Sequence, residues 1–107
     1  MQPDAAWECG YVSAVRTVTF HADGLLAKGL IDQSSHDARR EAAQQMWSVF
    51  PQGTSSITPL VREAVSLARE GVMPDDPSFE AVVDKINSAC TANGTPIILG
   101  ALASQGG

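Results

Sequence analysis

From Val15 to Ile31 the chain reads Val-Arg-Thr-Val-Thr-Phe-His-Ala-Asp-Gly-Leu-Leu-Ala-Lys-Gly-Leu-Ile. What the backbone does at Asp23-Gly24 constrains the fold more than any other feature, and two templates compete. As a helix, Tyr11, Val15, Val18, Ala22 and Leu25 with Leu26 recur every three to four residues and form one apolar stripe. As strands, Val18, Phe20 and Ala22 share one face, while Thr17, Thr19 and His21 share the other. β-Branched and aromatic side chains pack well on a pleated surface and lose rotamer freedom in a helix. Asp-Gly supplies the positive φ that a two-residue type I′ turn needs at both centres. Folding about it pairs Ala22 with Leu25, Phe20 with Ala27, Val18 with Gly29 and Arg16 with Ile31. The residues favour a hairpin, with the helix as the alternative.

The remaining elements carry plainer punctuation. Ser34 reads as an N-cap with Asp37 three residues on, and Ala38, Ala42, Ala43, Met46, Val49 and Phe50 form an apolar stripe. Arg40, Gln44 and Ser48 would then face away, and Pro51 stops the helix at about Phe50. Thr58-Pro59 opens a second helix that ends near Gly71, and Asp76-Pro77 opens a third that ends near Asn93-Gly94. The expected architecture is α+β: a small antiparallel β-hairpin or sheet packed on helix 34–50, followed by helices 59–71 and 77–92. The alternative is an all-α four-helix domain. A single domain is expected over 1–107, made of a hairpin-plus-helix unit at 11–50 and a helical pair at 59–92. Residues 1–8 and 103–107 are expected to be flexible.

Charge narrows the partners. Seven basic residues against twelve acidic ones give a net charge of −5, and neither half of the chain is a basic block. No general pull on phosphate backbones or anionic membranes follows, so any nucleic-acid contact must be a local patch. The longest purely apolar run, Pro96–Leu99, is far too short to span a membrane. Cys9 and Cys90 are the only cysteines. No basic-then-apolar signal segment opens the chain, so the expectation is an intracellular, cytoplasmic protein with two reduced, buried thiols. A single Cys9–Cys90 bridge stays open as the alternative. Asn93-Gly94-Thr95 matches the glycosylation sequon and, without an export signal, is read as chance.

With Gly24 in a turn, Gly29 near a strand end, Ser34 capping a helix, Ala38, Arg39 and the paired Ala42-Ala43, the segment 15–47 resembles the C-terminal half of a double-stranded RNA-binding domain. Met46-Trp47 falls where large apolar residues close that helix. The family's paired lysines fall on Ser35 and His36, and its first helix has no counterpart. The resemblance therefore implies protein docking or self-association more than RNA binding. Duplex RNA remains the runner-up partner, through Ser34, Ser35, His36, Arg39, Arg40 and Lys28 at the helix start.

Other chemistry is sparse. A zinc site would draw on Cys9, His21, His36 and Cys90, which show no ligand pair at a recognised spacing, so no metal and no cofactor are expected. Asp37, Arg40 and Glu41 read as a charged solvent face, His36 as a solvated first-turn residue, and His21 as polar-face surface. No nucleophile motif or phosphate loop appears, so no enzyme and no catalytic residues are expected. Trp47, Trp7 and Tyr11 are the candidate anchors for a protein partner or a second copy of the chain. A helical domain that binds a protein or a small ligand is the third reading. Gly106-Gly107 resembles the end of ubiquitin-like modifiers, but the helical second half does not suit that fold.

Overall fold

Asp23 and Gly24 lie inside a helix. The computed structural model describes residues 4–100, which form four helices: α1 (Ala5–Ala27), α2 (Gln33–Ser48), α3 (Thr58–Arg69) and α4 (Pro77–Ala92). No strand occurs among the described residues. The expected α+β architecture is overturned in favour of the all-helical alternative. With the hairpin goes the sheet that a fold like the double-stranded RNA-binding domain would require. Residues 103–107, expected to be flexible, and Gly106-Gly107 lie outside the described residues.

The turn chemistry sits five residues later than expected. Gly29 adopts φ 70°, the left-handed conformation that glycine reaches without a Cβ clash. Its N–H donates to the Leu26 carbonyl at 3.0 Å, and the Leu30 N–H donates to Leu25 at 2.9 Å. That pair of bonds is a Schellman stop, and Gly71 and Gly94 end α3 and α4 in the same way. Upstream, hydroxyls along α1 bond to the helix's own carbonyls. Thr19 Oγ1 donates to the Arg16 carbonyl at 3.0 Å, and Ser13 Oγ donates to the Cys9 carbonyl at 2.9 Å. A threonine or valine concedes about 0.5 kcal/mol of intrinsic helix preference. Full burial of a valine side chain contributes about 1.5 kcal/mol or more. Val12 and Val15 are fully buried, so packing outweighs local preference.

α1 also starts earlier than expected. Asp4 caps it by accepting from the Trp7 N–H at 2.8 Å, so residues 5–8 are ordered helix and Glu8 is fully buried. α2 runs antiparallel to α1: the Tyr11 hydroxyl donates to the Met46 carbonyl at 2.8 Å, and His36 near the start of α2 meets Asp23 near the end of α1. α4 is antiparallel to α1 as well, because Cys9 and Cys90 form a disulfide with Cα atoms 5.8 Å apart. The expectation of two reduced thiols is thereby corrected. The packing of α4 on α1 brings these cysteines together despite a sequence separation of 81. α3 starts at the same end of α1, with Thr58 beside Glu8, and runs to Ala68, whose carbonyl accepts from Gln44 at 2.6 Å.

The core gathers Val12 and Val15 of α1, Ala43, Trp47 and Phe50, Ile57, then Val61, Ala64 and Val65 of α3 and Phe79, Val83 and Ile86 of α4. The Trp47 and Phe79 rings meet edge to face at 5.3 Å and join α2 to α4. α2 turns a different face inward than its alanines suggest. Ala38, Ala42 and Val49 are exposed, while His36, Ala43, Trp47 and Phe50 are buried and Arg40 is half-buried. Its cap is Asp32, which accepts from the Ser35 N–H at 2.8 Å; Ser34, the expected cap, is an exposed first-turn residue. No helix among the described residues is long and apolar enough to cross a membrane.

Candidate ligand-binding cavity

The rotated face of α2 borders a cavity of about 470 Å³. Arg16, Thr19, Phe20 and Asp23 of α1 line it, at the spacing of one helix face. His36, Arg40 and Trp47 contribute from α2, Glu80, Val83 and Asp84 from α4, and Pro74 with Asp75 from the connection between α3 and α4. Leu99 closes one edge. Seven of the thirteen lining residues are ionisable, and Phe20, Trp47, Val83 and Leu99 supply the apolar part of the surface, so the cavity is more polar than most organic-ligand sites.

Two charged pairs give the cavity its rim. His36 Nε2 lies 2.7 Å from Asp23 Oδ1, and because a carboxylate only accepts, Nε2 donates. The Arg40 guanidinium donates to Asp75 Oδ2 at 2.6 Å and passes 3.9 Å from Asp37. His36 is only 8% exposed, and its Nδ1 has no hydrogen-bond partner, with Asp37 Oδ1 the nearest carboxylate at 3.6 Å. Asp37 itself is held below the usual carboxylate range, first by the Gln33 amide that donates to it at 2.8 Å and further by His36 and Arg40.

Leu99 reaches the cavity because the segment after α4 is strapped to α1. Ser13 and Thr17, one turn apart, accept the Ile98 and Gly100 N–H groups at 3.1 Å each. His21, the next turn along, binds the Gly100 carbonyl through Nε2. Side chains at three successive turns of one helix therefore satisfy an irregular backbone that has no secondary structure of its own. His21 is thus a backbone holder in the helix and not the polar face of a strand.

The opposite end of α1 is closed. Glu8 accepts from Ser55 Oγ at 2.5 Å and from Thr58 Oγ1 at 2.9 Å, which pins the connector between α2 and α3. Thr58 spends its hydroxyl there and leaves α3 without a side-chain cap. Trp7, 44% exposed, packs on Tyr11, and both rings contact Phe50. Burial raises the Tyr11 phenol above its ordinary pKa.

The residues singled out for a phosphate-facing helix start do not form one group. The Asp32 side chain already accepts from the Ser35 amide there, His36 and Arg40 are turned to carboxylates, and Lys28, Ser34 and Arg39 are exposed around them. Of the candidate partner anchors, Trp7 and part of Tyr11 reach the surface. Trp47 is 1% exposed and serves as a core and cavity wall. No group of three or more histidine, cysteine or acidic side chains is arranged for a metal ion among the described residues. Reading Arg16, Thr19, Phe20 and Asp23 as one helical face, and Glu80 with Val83 and Asp84 as another, would have found most of the cavity from the sequence. The hairpin assignment concealed the first set. In comparisons with protein-family models, curated proteins and solved structures, nothing matches this chain.

Proposed function

We propose that the chain is a non-catalytic helical binding domain that takes a small amphipathic organic ligand into the cavity between α1, α2 and α4. The observation that carries this reading is the cavity's composition: Phe20, Trp47, Val83 and Leu99 offer an apolar surface within reach of fixed ionic groups. Its volume of about 470 Å³ falls in the range of small-molecule sites. A protein-docking reading would rest on Trp7 and its aromatic neighbours, and the duplex-RNA reading finds carboxylates beside Arg40 and His36. The Cys9–Cys90 bridge supports a compartment that keeps thiols oxidised, in place of the reducing cytoplasm expected from the sequence.

The test uses a Trp7→Phe variant, in which Trp47 is the remaining indole. A panel of small aromatic amines, carboxylates and amides is titrated while Trp47 emission and backbone NMR shifts are followed. Saturable changes at Phe20, His36, Val83 and Leu99 support the reading. A panel that moves none of these residues sinks it.

A further inference from the structure

We propose that His36 is a proton-operated latch between α1 and α2: as an imidazolium it donates from Nε2 to Asp23 and from Nδ1 to Asp37, and loss of the proton releases the Asp37 side. The latch stands whether or not the cavity beside it takes a ligand. His36 is 8% exposed, and both ring nitrogens face carboxylates, Nε2 at 2.7 Å from Asp23 Oδ1 and Nδ1 at 3.6 Å from Asp37 Oδ1. In the neutral ring the proton sits on Nε2 and is committed to Asp23, so Nδ1 turns a lone pair toward another on Asp37. That nitrogen is buried without a hydrogen-bond partner, an unfavourable state for a polar atom. A proton on Nδ1 makes the same contact one of donor with acceptor. The Asp37 side chain is half open to solvent, and a movement of about 0.7 Å brings it to hydrogen-bond distance.

The charges on every side of the ring favour the cation. From α1 it faces Asp23, with Arg16 further along the same wall. On α2 it has Asp37 beside it, Arg40 one turn on and the capping Asp32 one turn back. Asp75 on the α3–α4 connection and Glu80 with Asp84 on α4 lie across the cavity. The cations in this set are Arg16 and Arg40, and Arg40 is already held by Asp75 at 2.6 Å. Burial and the positive end of α2 oppose a charge on the ring. Asp23 and Asp37 favour it from within 4 Å, and each is more than half exposed, so keeping both charged costs little desolvation. Asp37 is held below the usual carboxylate range, by Gln33 first and then by His36 and Arg40. The latch is therefore closed from the acid pH at which Asp37 ionises up to the pH at which the ring gives up its proton, and open above that. Because Asp23 stands near the end of α1 and His36 near the start of α2, the proton tightens the turn between the two helices.

The experiment follows the His36 ring resonances by NMR and thermal unfolding by circular dichroism, in the disulfide-intact native chain and in Asp37→Asn, a substitution at an exposed position. The ring of the native chain should keep its proton to higher pH than the ring of the variant. The drop in unfolding midpoint caused by Asp37→Asn should be about 2–4 °C larger at about pH 5.5, where an ordinary imidazole is protonated, than at about pH 8. Loss of the Asp37 charge from the start of α2 and from Arg40 is common to both pH values and cancels in that difference. In a His36→Gln background the drop should be the same at both. An equal drop at both pH values in the native background overturns the latch. So does a pH-dependent drop that survives His36→Gln, or a ring titration that Asp37→Asn leaves unmoved. If His36→Gln fails to fold, the ring titration, which needs only the exposed substitution, decides alone.

Discussion

Within the single helix α1, Glu8 to Val15 and Arg16 to Asp23 meet opposite surroundings. The first stretch is held by a disulfide to α4, by a buried carboxylate that pins the 55–58 connector, and by a phenol bonded to α2. The second carries arginine, threonine and aspartate onto a cavity and is covered by a strap of irregular backbone. Stability is concentrated where polar groups are few and fully satisfied. Unpaired charge is tolerated where solvent or a ligand can reach it. The contrast predicts that substitutions at the buried residues of the first region (Glu8, Cys9, Val12 and Val15) unfold the chain, and that those in the second, or at the half-buried Ser13 that helps hold the strap, have little effect on stability.

The largest test is removal of the bridge. Cys9→Ser with Cys90→Ser frees a loop closed over 81 positions, and the chain-entropy estimate is a loss of about 4–5 kcal/mol, read from urea unfolding. A loss under about 1 kcal/mol would mean that the clamp lies elsewhere. Next, Glu8→Ala strands the Ser55 and Thr58 hydroxyls and should cost about 2–4 kcal/mol, with Glu8→Gln milder because its amide oxygen still accepts. By contrast, Arg40→Gln in the cavity half should cost about 0.5 kcal/mol, since its pairs with Asp75 and Asp37 are largely solvated. If Arg40→Gln proves as damaging as Glu8→Ala, the division between the two halves fails. Smaller still, Ser13→Ala with Thr17→Val should release the strap. Hydrogen exchange at Ile98 and Gly100 should rise while the unfolding midpoint stays put.

The two halves should also part company with pH. Asp37, beside the cavity, and Asp76, the α4 cap bonded first by the Ser78 hydroxyl, have lowered pKa values. Protons bind them more readily in the unfolded chain, so their contribution is present above about pH 4 and is lost as pH falls through the folded values. Tyr11, in the clamped half, is raised by burial. Its contribution is present below about pH 10 and is lost as pH rises through the folded value. NMR at descending pH should show α2 and α4 N-terminal amides responding first. Ultraviolet absorbance at ascending pH should show Tyr11 ionising late and together with loosening of the α1–α2 contact.

Much of the frame was legible in the residues. Pro51, Thr58-Pro59, Gly71, Asp76-Pro77 and Asn93-Gly94 bracket the last three helices close to their observed limits, because proline geometry and left-handed glycine act within a few residues of chain. The Asp23-Gly24 pair misled because the helix runs straight through it to Ala27, local turn preference being worth less than the packing of Val12, Val15 and Ala22. The cavity was half legible. Its α4 carboxylates stand at helical spacing, but the inward face of α2 is His36 and Arg40, residues that any hydrophobic pattern assigns to solvent.

What this chain determined by itself was where its helices begin and stop, since capping and chain reversal are decided by neighbours in sequence. Tertiary structure alone decided which face of each helix turns inward, that Cys9 meets Cys90, and that a buried glutamate and an unpaired imidazole sit in different halves of one helix pair. Those outcomes depend on contacts between residues tens of positions apart, whose energies belong to the packed arrangement and to no segment of it.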